Sequence, residues 1–441
     1  MRRFVILVCV LASAAPGCSE SECAAACGEG GLVVDLVPVV ESAYEGELDL
    51  DGVGGTFTCV PSDVTGWAPM NPTGSAEAVL RCDGAGFTVA DTPETVQLAI
   101  RTLDGILAGS SSVTPAYSPD GPQCTWPCPL GATVLVQLAE PEGEVFPCTE
   151  QGIRDAIAEG GGRHTFDCNG PTTVVTEAEI AIDTVVILDG ESRLTMDGSF
   201  EHNVFTVGGS ASADLRGFTI TRGTPGILNR GRLVLRDITV SGNRSEARGG
   251  ISSTGTLILE STTVSGNVAT GDDDADVVGG IYGSGPTTLT NTTVSGNTAT
   301  GEHAVDGLFH FRDELTLTNS TLYDQLYTVG PGTVTSTASI YVEYCLEEWP
   351  YDEVTWVSGG YNIGCGFDDP SDLGGVRADE LRLGPLQDNG GPTETHALGA
   401  GSVAIDVIPA GMCEVDADQR GIDRPHGDAC DVGAFEREVT P

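Results

Sequence analysis

Between Gly226 and Leu322, apolar residues recur at two-residue spacing, as in Leu233 and Leu235 or Leu257 and Leu259. They lie in segments rich in Val, Ile, Thr and Leu that Gly and Asn interrupt. This alternation predicts short half-buried strands joined by tight turns, with little sign of a helical period. The segments are also copies of one another. The string Val-Ser-Gly-Asn appears at Val240 to Asn243, Val264 to Asn267 and Val294 to Asn297, and a decayed fourth copy ends at Leu322. The first step is 24 residues and the second 30, the longer one carrying a six-residue insertion, Gly271 to Asp276. In register, Ile227 aligns with Ile251, Ile281 and Leu308. Leu235 aligns with Leu259, Leu289 and Leu317, and Val240 with Val264, Val294 and Leu322. A unit this short cannot bury its own apolar face, so successive copies must stack and share a core. The asparagines Asn243, Asn267 and Asn297 would then lie one above another at ~4.8 Å spacing, and their amides would form a ladder that fixes register. A leucine-rich repeat would place Leu beside its Asn, where this chain has Gly and Thr. The expected fold is therefore all-β, a right-handed parallel β-helix.

The same reading extends along the chain. Residues 31–142 contain separate strand-like runs (32–40, 45–50, 56–60, 78–82, 95–103 and 133–138) punctuated by Gly, Pro and Asp, which predicts a small antiparallel β-sandwich-like domain. One helix signal occurs, at 149–159. There Thr149 can cap the N-terminus, and Ile153, Ala156 and Ile157 make an apolar stripe. It precedes the first rungs, where a solenoid needs a cap. The β-helix is expected over 148–380, with Arg216 and Arg236 at equivalent positions. Beyond Leu322 the repeat dissolves into Gly-rich coil around Cys345 to Cys365, and a last block follows at 381–436.

Residues 1–17 combine Met1-Arg2-Arg3 with an apolar run from Phe4 to Leu11, a pattern expected of an export signal and too short for a membrane span. Cleavage near Ala14 and lipoprotein cleavage before Cys18 are both open readings. Beyond Cys9, thirteen cysteines remain, an odd number unless Cys18 carries lipid. The other twelve fall into local pairs: Cys23-Cys27, Cys59-Cys82, Cys124-Cys128, Cys148-Cys168, Cys345-Cys365 and Cys413-Cys430. Such pairs fit disulfides in an oxidising compartment. Residues 18–30 read as a polar tether. The expected location is the cell surface or outer membrane as a lipoprotein, or the medium, with membrane contact only through the lipid anchor.

The chain carries 64 acidic residues against 20 basic ones, all arginine, for a net charge of −44. That field repels phosphate and excludes nucleic acid as a partner. Seven arginines between Arg216 and Arg248 are expected to balance nearby carboxylates.

The last block reads Leu-Gly-Pro-Leu-Gln-Asp-Asn-Gly-Gly-Pro-Thr from Leu383, then Thr-His-Ala-Leu at 395–398 and Asp-Gln-Arg-Gly at 418–421. Cys-Asp-Val-Gly-Ala-Phe-Glu closes it at 430–436. These strings closely resemble the choice-of-anchor Q proteins of bacteria, and the rungs are similar to the repeats of polymorphic outer-membrane proteins. The resemblance covers about Cys148 to Glu436. It implies export or surface display of a parallel β-helix, and it implies no reaction. Within that terminus Asp418, Arg420, Asp423, Arg424 and Asp431 are expected to form a fixed ion-pair network.

Candidate chemistry is sparse. Parallel β-helices also carry pectate lyases and polygalacturonase-like hydrolases, so a polysaccharide lyase or glycoside hydrolase is the alternative function. Fold alone does not decide it. A hydrolase needs paired carboxylates, and the hydrolase relatives carry Gly-His-Gly and Arg-x-Lys strings that this chain lacks. The densest patch is His303, Asp306, His310, Arg312, Asp313 and Asp324, of which His310, Asp313 and Asp306 are the catalytic candidates. Asp272, Asp274 and Asp276 resemble half of a calcium loop, but Val277 stands where an EF-hand needs Gly and no glutamate closes it. No cofactor is expected beyond calcium at that turn. The expected function is non-catalytic adhesion or binding to an extracellular polysaccharide or cell-surface component.

Overall fold

In the computed structural model, the residues described are strand segments between 31 and 137, then 140–438 apart from 272–275, 302, 343–344, 347–353 and 365–368. The chain divides into two units, Met1–Pro141 and Glu142–Pro441. The first contains two sheets. One is five-stranded and wholly antiparallel, built on Tyr44–Leu50 between Val53–Cys59 and Val96–Thr102. The other has six strands. All its pairs are antiparallel except one, Gly31–Val37 with Leu130–Gln137, which run parallel. That parallel pair departs from the purely antiparallel expectation. Strands so far apart in sequence are not joined by a hairpin, so no turn dictates their direction.

The second unit is a parallel β-solenoid of about nine turns, which at ~4.8 Å per stacked strand is about 40 Å long. Each full turn contributes a strand to three faces. Face A contains Phe205–Val207, Ile227–Asn229, Ile251–Ser253 and Ile281–Gly283. Face B contains Arg232–Arg236, Thr256–Glu260 and Thr287–Thr290. Face C contains Thr239–Ser241, Thr263–Ser265 and Thr293–Ser295. The three aligned columns of the repeat pair residue for residue, from Ile227 to Leu308, Leu235 to Leu317 and Val240 to Leu322. All of them point inward and are buried. Arg216 pairs with Arg236. Each buried Leu or Ile withdraws about 1.5–3 kcal/mol of apolar surface from water, and the columns merge into one core from Ile153 to Tyr341.

The asparagines form the expected ladder. Asn243 Nδ2 donates to Asn267 Oδ1 at 2.9 Å, and Asn267 Nδ2 donates to Asn297 Oδ1 at 2.9 Å. The same oxygens accept the backbone N–H of the residue one turn before, at 3.1 Å. The ladder also explains the glycine that opens each unit. A Cβ on Gly226 would lie 2.8 Å from the Asn243 amide, and one on Gly250 3.0 Å from that of Asn267. A second internal row, absent from the sequence reading, lies at the corner between faces B and C. Thr262, Thr292 and Ser320 each turn a hydroxyl inward onto a backbone carbonyl of the preceding turn.

The solenoid does not dissolve after Leu322. Strands continue at Leu326–Thr337, Ile340–Tyr341 and Val354–Gly360, stacked on the preceding turns. Leu322 to Tyr341 is a step of only 19 residues. This turn lacks the outer loop and with it the Ser-Gly-Asn string that marks the earlier copies. At the other end, helix α1 (Glu150–Glu159) is capped by Thr149, whose hydroxyl accepts Gly152 N–H at 3.1 Å. It buries Ile153, Ala156 and Ile157 against the first turns. The Cys148–Cys168 disulfide pins it.

The terminal block lies along the outside of face C. Gln419 reaches two turns at once, its Nε2 donating to Thr263 Oγ1 at 2.8 Å and its Oε1 accepting from Thr293 Oγ1 at 2.6 Å. His396 Nε2 meets Ser295 Oγ at 2.8 Å, and Ala434 N–H donates to Thr321 Oγ1 at 3.1 Å. Thr263, Ser265, Thr293 and Ser295 are consequently buried although they point away from the core.

Candidate functional site

The patch expected to carry any chemistry is spread over three environments. Asp324 belongs to the ladder. It stands where a fourth asparagine would be, and its carboxylate accepts Asn297 Nδ2 at 2.8 Å, Asn297 N at 2.9 Å and Gly296 N at 2.7 Å. The last position of a one-way ladder meets only donors. A carboxylate, which is acceptor only, suits it better than an amide. Burial pushes the Asp324 pKa up, and the Asn297 and Gly296 bonds oppose that. Asp306 ties its own outer loop, accepting Ala299 N–H at 2.6 Å. His303 is exposed on that loop.

His310 points inward on face A, in the column that runs Asn229, Ser253, Gly283, His310 and Thr328. Its Nε2 lies 3.1 Å from Gly285 O, an acceptor that fixes the proton on that nitrogen. Burial lowers its pKa, outweighing the Gly285 bond and the Asp313 charge. The ring occupies space left by Gly283, whose Cβ would meet His310 Cδ2 at 3.0 Å. Beside it is a void of about 10 Å³ lined by Arg312, Asp313 and Thr328 among others. That volume admits one water and no sugar. Arg312 and Asp313 are exposed corner residues with φ of 63° and 67°, Arg312 lying over the Phe311 ring at 4.5 Å. The expected patch therefore separates into a ladder end, a loop tie and a buried histidine beside an exposed corner.

For metal, Asp276 is exposed, and Asp272 and Asp274 lie outside the described residues. Among the described residues no group of three or more His, Cys, Asp or Glu side chains is placed to hold an ion. Cys18 and the pairs Cys23-Cys27 and Cys124-Cys128 are outside the described residues, as are the side chains of Cys59, Cys82 and Cys345 and the whole of Cys365. Cys413 is bonded to Cys430 within the terminal block.

The arginine cluster divides. Arg216 and Arg236 share Asp214 at 2.7 and 3.2 Å, Arg236 also pairs with Glu260, and Arg222 holds Asp197 at 2.6 Å. Arg248 instead lies 3.6 Å from the centroid of Tyr282. Tyr282 begins an outer aromatic stack with Phe309 and Tyr327, each step 5.5 Å, a feature the repeat alignment does not register.

In the terminal block, Arg420 pairs with Asp418 at 2.8 Å and Arg424 with Glu436 at 3.0 Å, all four side chains being buried. Asp431 accepts Asp406 N–H at 2.7 Å and Arg437 N–H at 2.6 Å. Desolvation raises its pKa to about 6 against those bonds. Asp423 is exposed and stands apart from this network, and Glu436 takes the place the sequence reading gave it. Of the residues that reading missed, Gln419 and His396 lie inside strings it had recognised and Thr263 directly precedes one, but only stacking shows which face they meet.

No family model matches this chain, and no match to it is found among the curated proteins or the solved structures. Among the described residues no helix is long and apolar enough to cross a membrane.

Proposed function

We propose that this chain is an exported, non-catalytic β-helix protein of the choice-of-anchor Q kind, held at the cell surface through lipid on Cys18. It acts there by binding an extracellular polysaccharide or another surface component. The observation that supports the reading is the fate of Asp324. The most buried acid of the catalytic-looking patch is the terminus of the asparagine ladder, and without it His310 and Asp313 have only a water-sized void between them. A glycosidase needs two carboxylates flanking a sugar bond, and a binding protein needs a rigid exposed face. The parallel stack supplies such a face over several turns.

The test is to incubate the chain from Cys18 onward with neutral and acidic polysaccharides, with and without calcium, following reducing ends and the absorbance of unsaturated products. Binding without turnover is expected. Turnover that vanishes in His310→Ala or Asp313→Asn while the fold persists would replace this reading with a lyase or hydrolase. Anchoring is checked separately: Cys18→Ala should move the protein from membranes to the soluble fraction.

A further inference from the structure

Face C carries a Thr-x-Ser or Thr-x-Thr pair on successive turns, and the molecule treats these pairs in two ways. On Thr263 to Ser265, Thr293 to Ser295 and Thr321 the terminal block covers the residues and bonds the Thr263, Thr293, Ser295 and Thr321 hydroxyls with the Glu394 carbonyl, the Gln419 carboxamide, the His396 ring and the Ala434 N–H. On the two preceding turns the same outward positions are Thr239 with Ser241 and Thr219 with Thr221, in unbroken register with the covered ones. These four are half-buried, and among the described residues their hydroxyls have no hydrogen-bond partner. They continue an interface that the chain itself already recognises through hydroxyl groups.

Next to them lies the one phenylalanine among the exposed large apolar side chains of the described residues. Phe200, in the turn after the strand that ends at Asp197, is 49% exposed, and its N–H bonds to Arg222 O at 2.5 Å. The Arg222 guanidinium sits 5.9 Å from its ring centroid and is held by both oxygens of Asp197. The strip thus offers an apolar ring, a guanidinium whose charge Asp197 neutralises, and hydroxyls in a grid of about 4.8 Å between turns and about 6.7 Å along each strand.

We infer that this uncovered part of face C, formed by Phe200, Arg222, Thr219, Thr221, Thr239 and Ser241, is a docking surface for a neutral polysaccharide chain. The inference rests on the polysaccharide-binding reading above and deepens it. Sugar rings offer one face of C–H groups, which suits Phe200, and a rim of hydroxyls, which suits Thr and Ser as both donors and acceptors. The neutral class follows from charge. A molecule at −44 repels a polyanion, and the guanidinium within the strip, Arg222, is already paired with Asp197.

The experiment measures depletion of the full chain from solution by microcrystalline cellulose, chitin and starch granules, with soluble polygalacturonate as the anionic comparison. Phe200→Ala and Ser241→Arg alter the strip at two independent positions, one exposed and one half-buried. Thr316→Arg on face B is the control, and melting curves confirm that all three fold. The expected result is binding to at least one neutral polysaccharide that falls tenfold or more in both strip variants and is unchanged in the control. Parent binding that survives both substitutions would overturn the site and leave the function standing. Binding to polygalacturonate alone would overturn the neutral class, and a parent that binds none of the four would refute both this inference and the function it rests on.

Discussion

Asn267 is the middle member of the ladder, and Asn267→Ala tests whether the ladder contributes to stability or merely accompanies the stacking. Four hydrogen bonds end on its side chain: from Asn243 Nδ2 and N to its Oδ1, and from its Nδ2 to Val240 O and Asn297 Oδ1. The Asn297 oxygen retains the Asn267 N–H, and the Asn243 amide retains Ile220 O. The Val240 carbonyl keeps its place in the parallel ladder against Thr263–Ser265, so the Asn243 N–H alone loses its acceptor. Leaving that buried group unsatisfied costs about 1–3 kcal/mol, and the other three lost bonds about 0.5–1.5 kcal/mol each, so the substitution should cost about 3–6 kcal/mol. The β-helix unit spans 300 residues, from Glu142 to Pro441. At about 2 cal/mol/K of unfolding entropy per residue, that loss lowers the melting temperature by about 5–10 °C. The assay is far-UV circular dichroism on heating, with the exposed Thr270→Ala as comparison. A variant melting within a degree of the parent would mean that water or a shifted neighbour satisfies the Asn243 N–H, and the ladder would not be a source of register.

Three further outcomes follow from the geometry. Leu259→Asp puts an unpaired charge into the shared core, where Leu259 is wholly buried, and should cost about 4 kcal/mol or more in denaturant midpoint; parental stability would mean the column is not core. Because burial raises the folded pKa of Asp431 to about 6 from 3.8, the folded state binds the extra proton across that window. Its contribution is then most favourable below pH ~4 and declines as pH rises to ~6, by at most ~3 kcal/mol. His396, whose pKa burial lowers, acts oppositely and loses stability as pH falls below 6.5. The quantity to measure is therefore the difference between parent and Asp431→Asn in urea midpoint from pH 4 to 7, which a flat profile would contradict. Non-reducing peptide mapping should recover Cys148 joined to Cys168 and Cys413 to Cys430, and free thiols at these positions would refute both bonds.

The sequence by itself determined the stacking. An in-register repeat of Leu, Ile and Val at two-residue spacing has one economical way to leave water, and the Val-Ser-Gly-Asn string marks the same corner in every copy, so core columns and ladder were legible residue by residue. The N-cap at Thr149 was legible for the same reason, since its physics is local. What only the tertiary structure decided depends on contacts between residues far apart in the chain. Asp324 reads as a candidate acid until it is seen below Asn297, 27 residues away. Thr263 reads as an exposed strand residue until Gln419, 156 residues away, is seen on it. The turns after Leu322 were lost from view because register passes through the backbone and needs no repeated side chain. Periodicity reports which residues face the core, and it is silent about what covers the outside. For that reason the covered and uncovered stretches of face C, alike in sequence, could be told apart only in three dimensions.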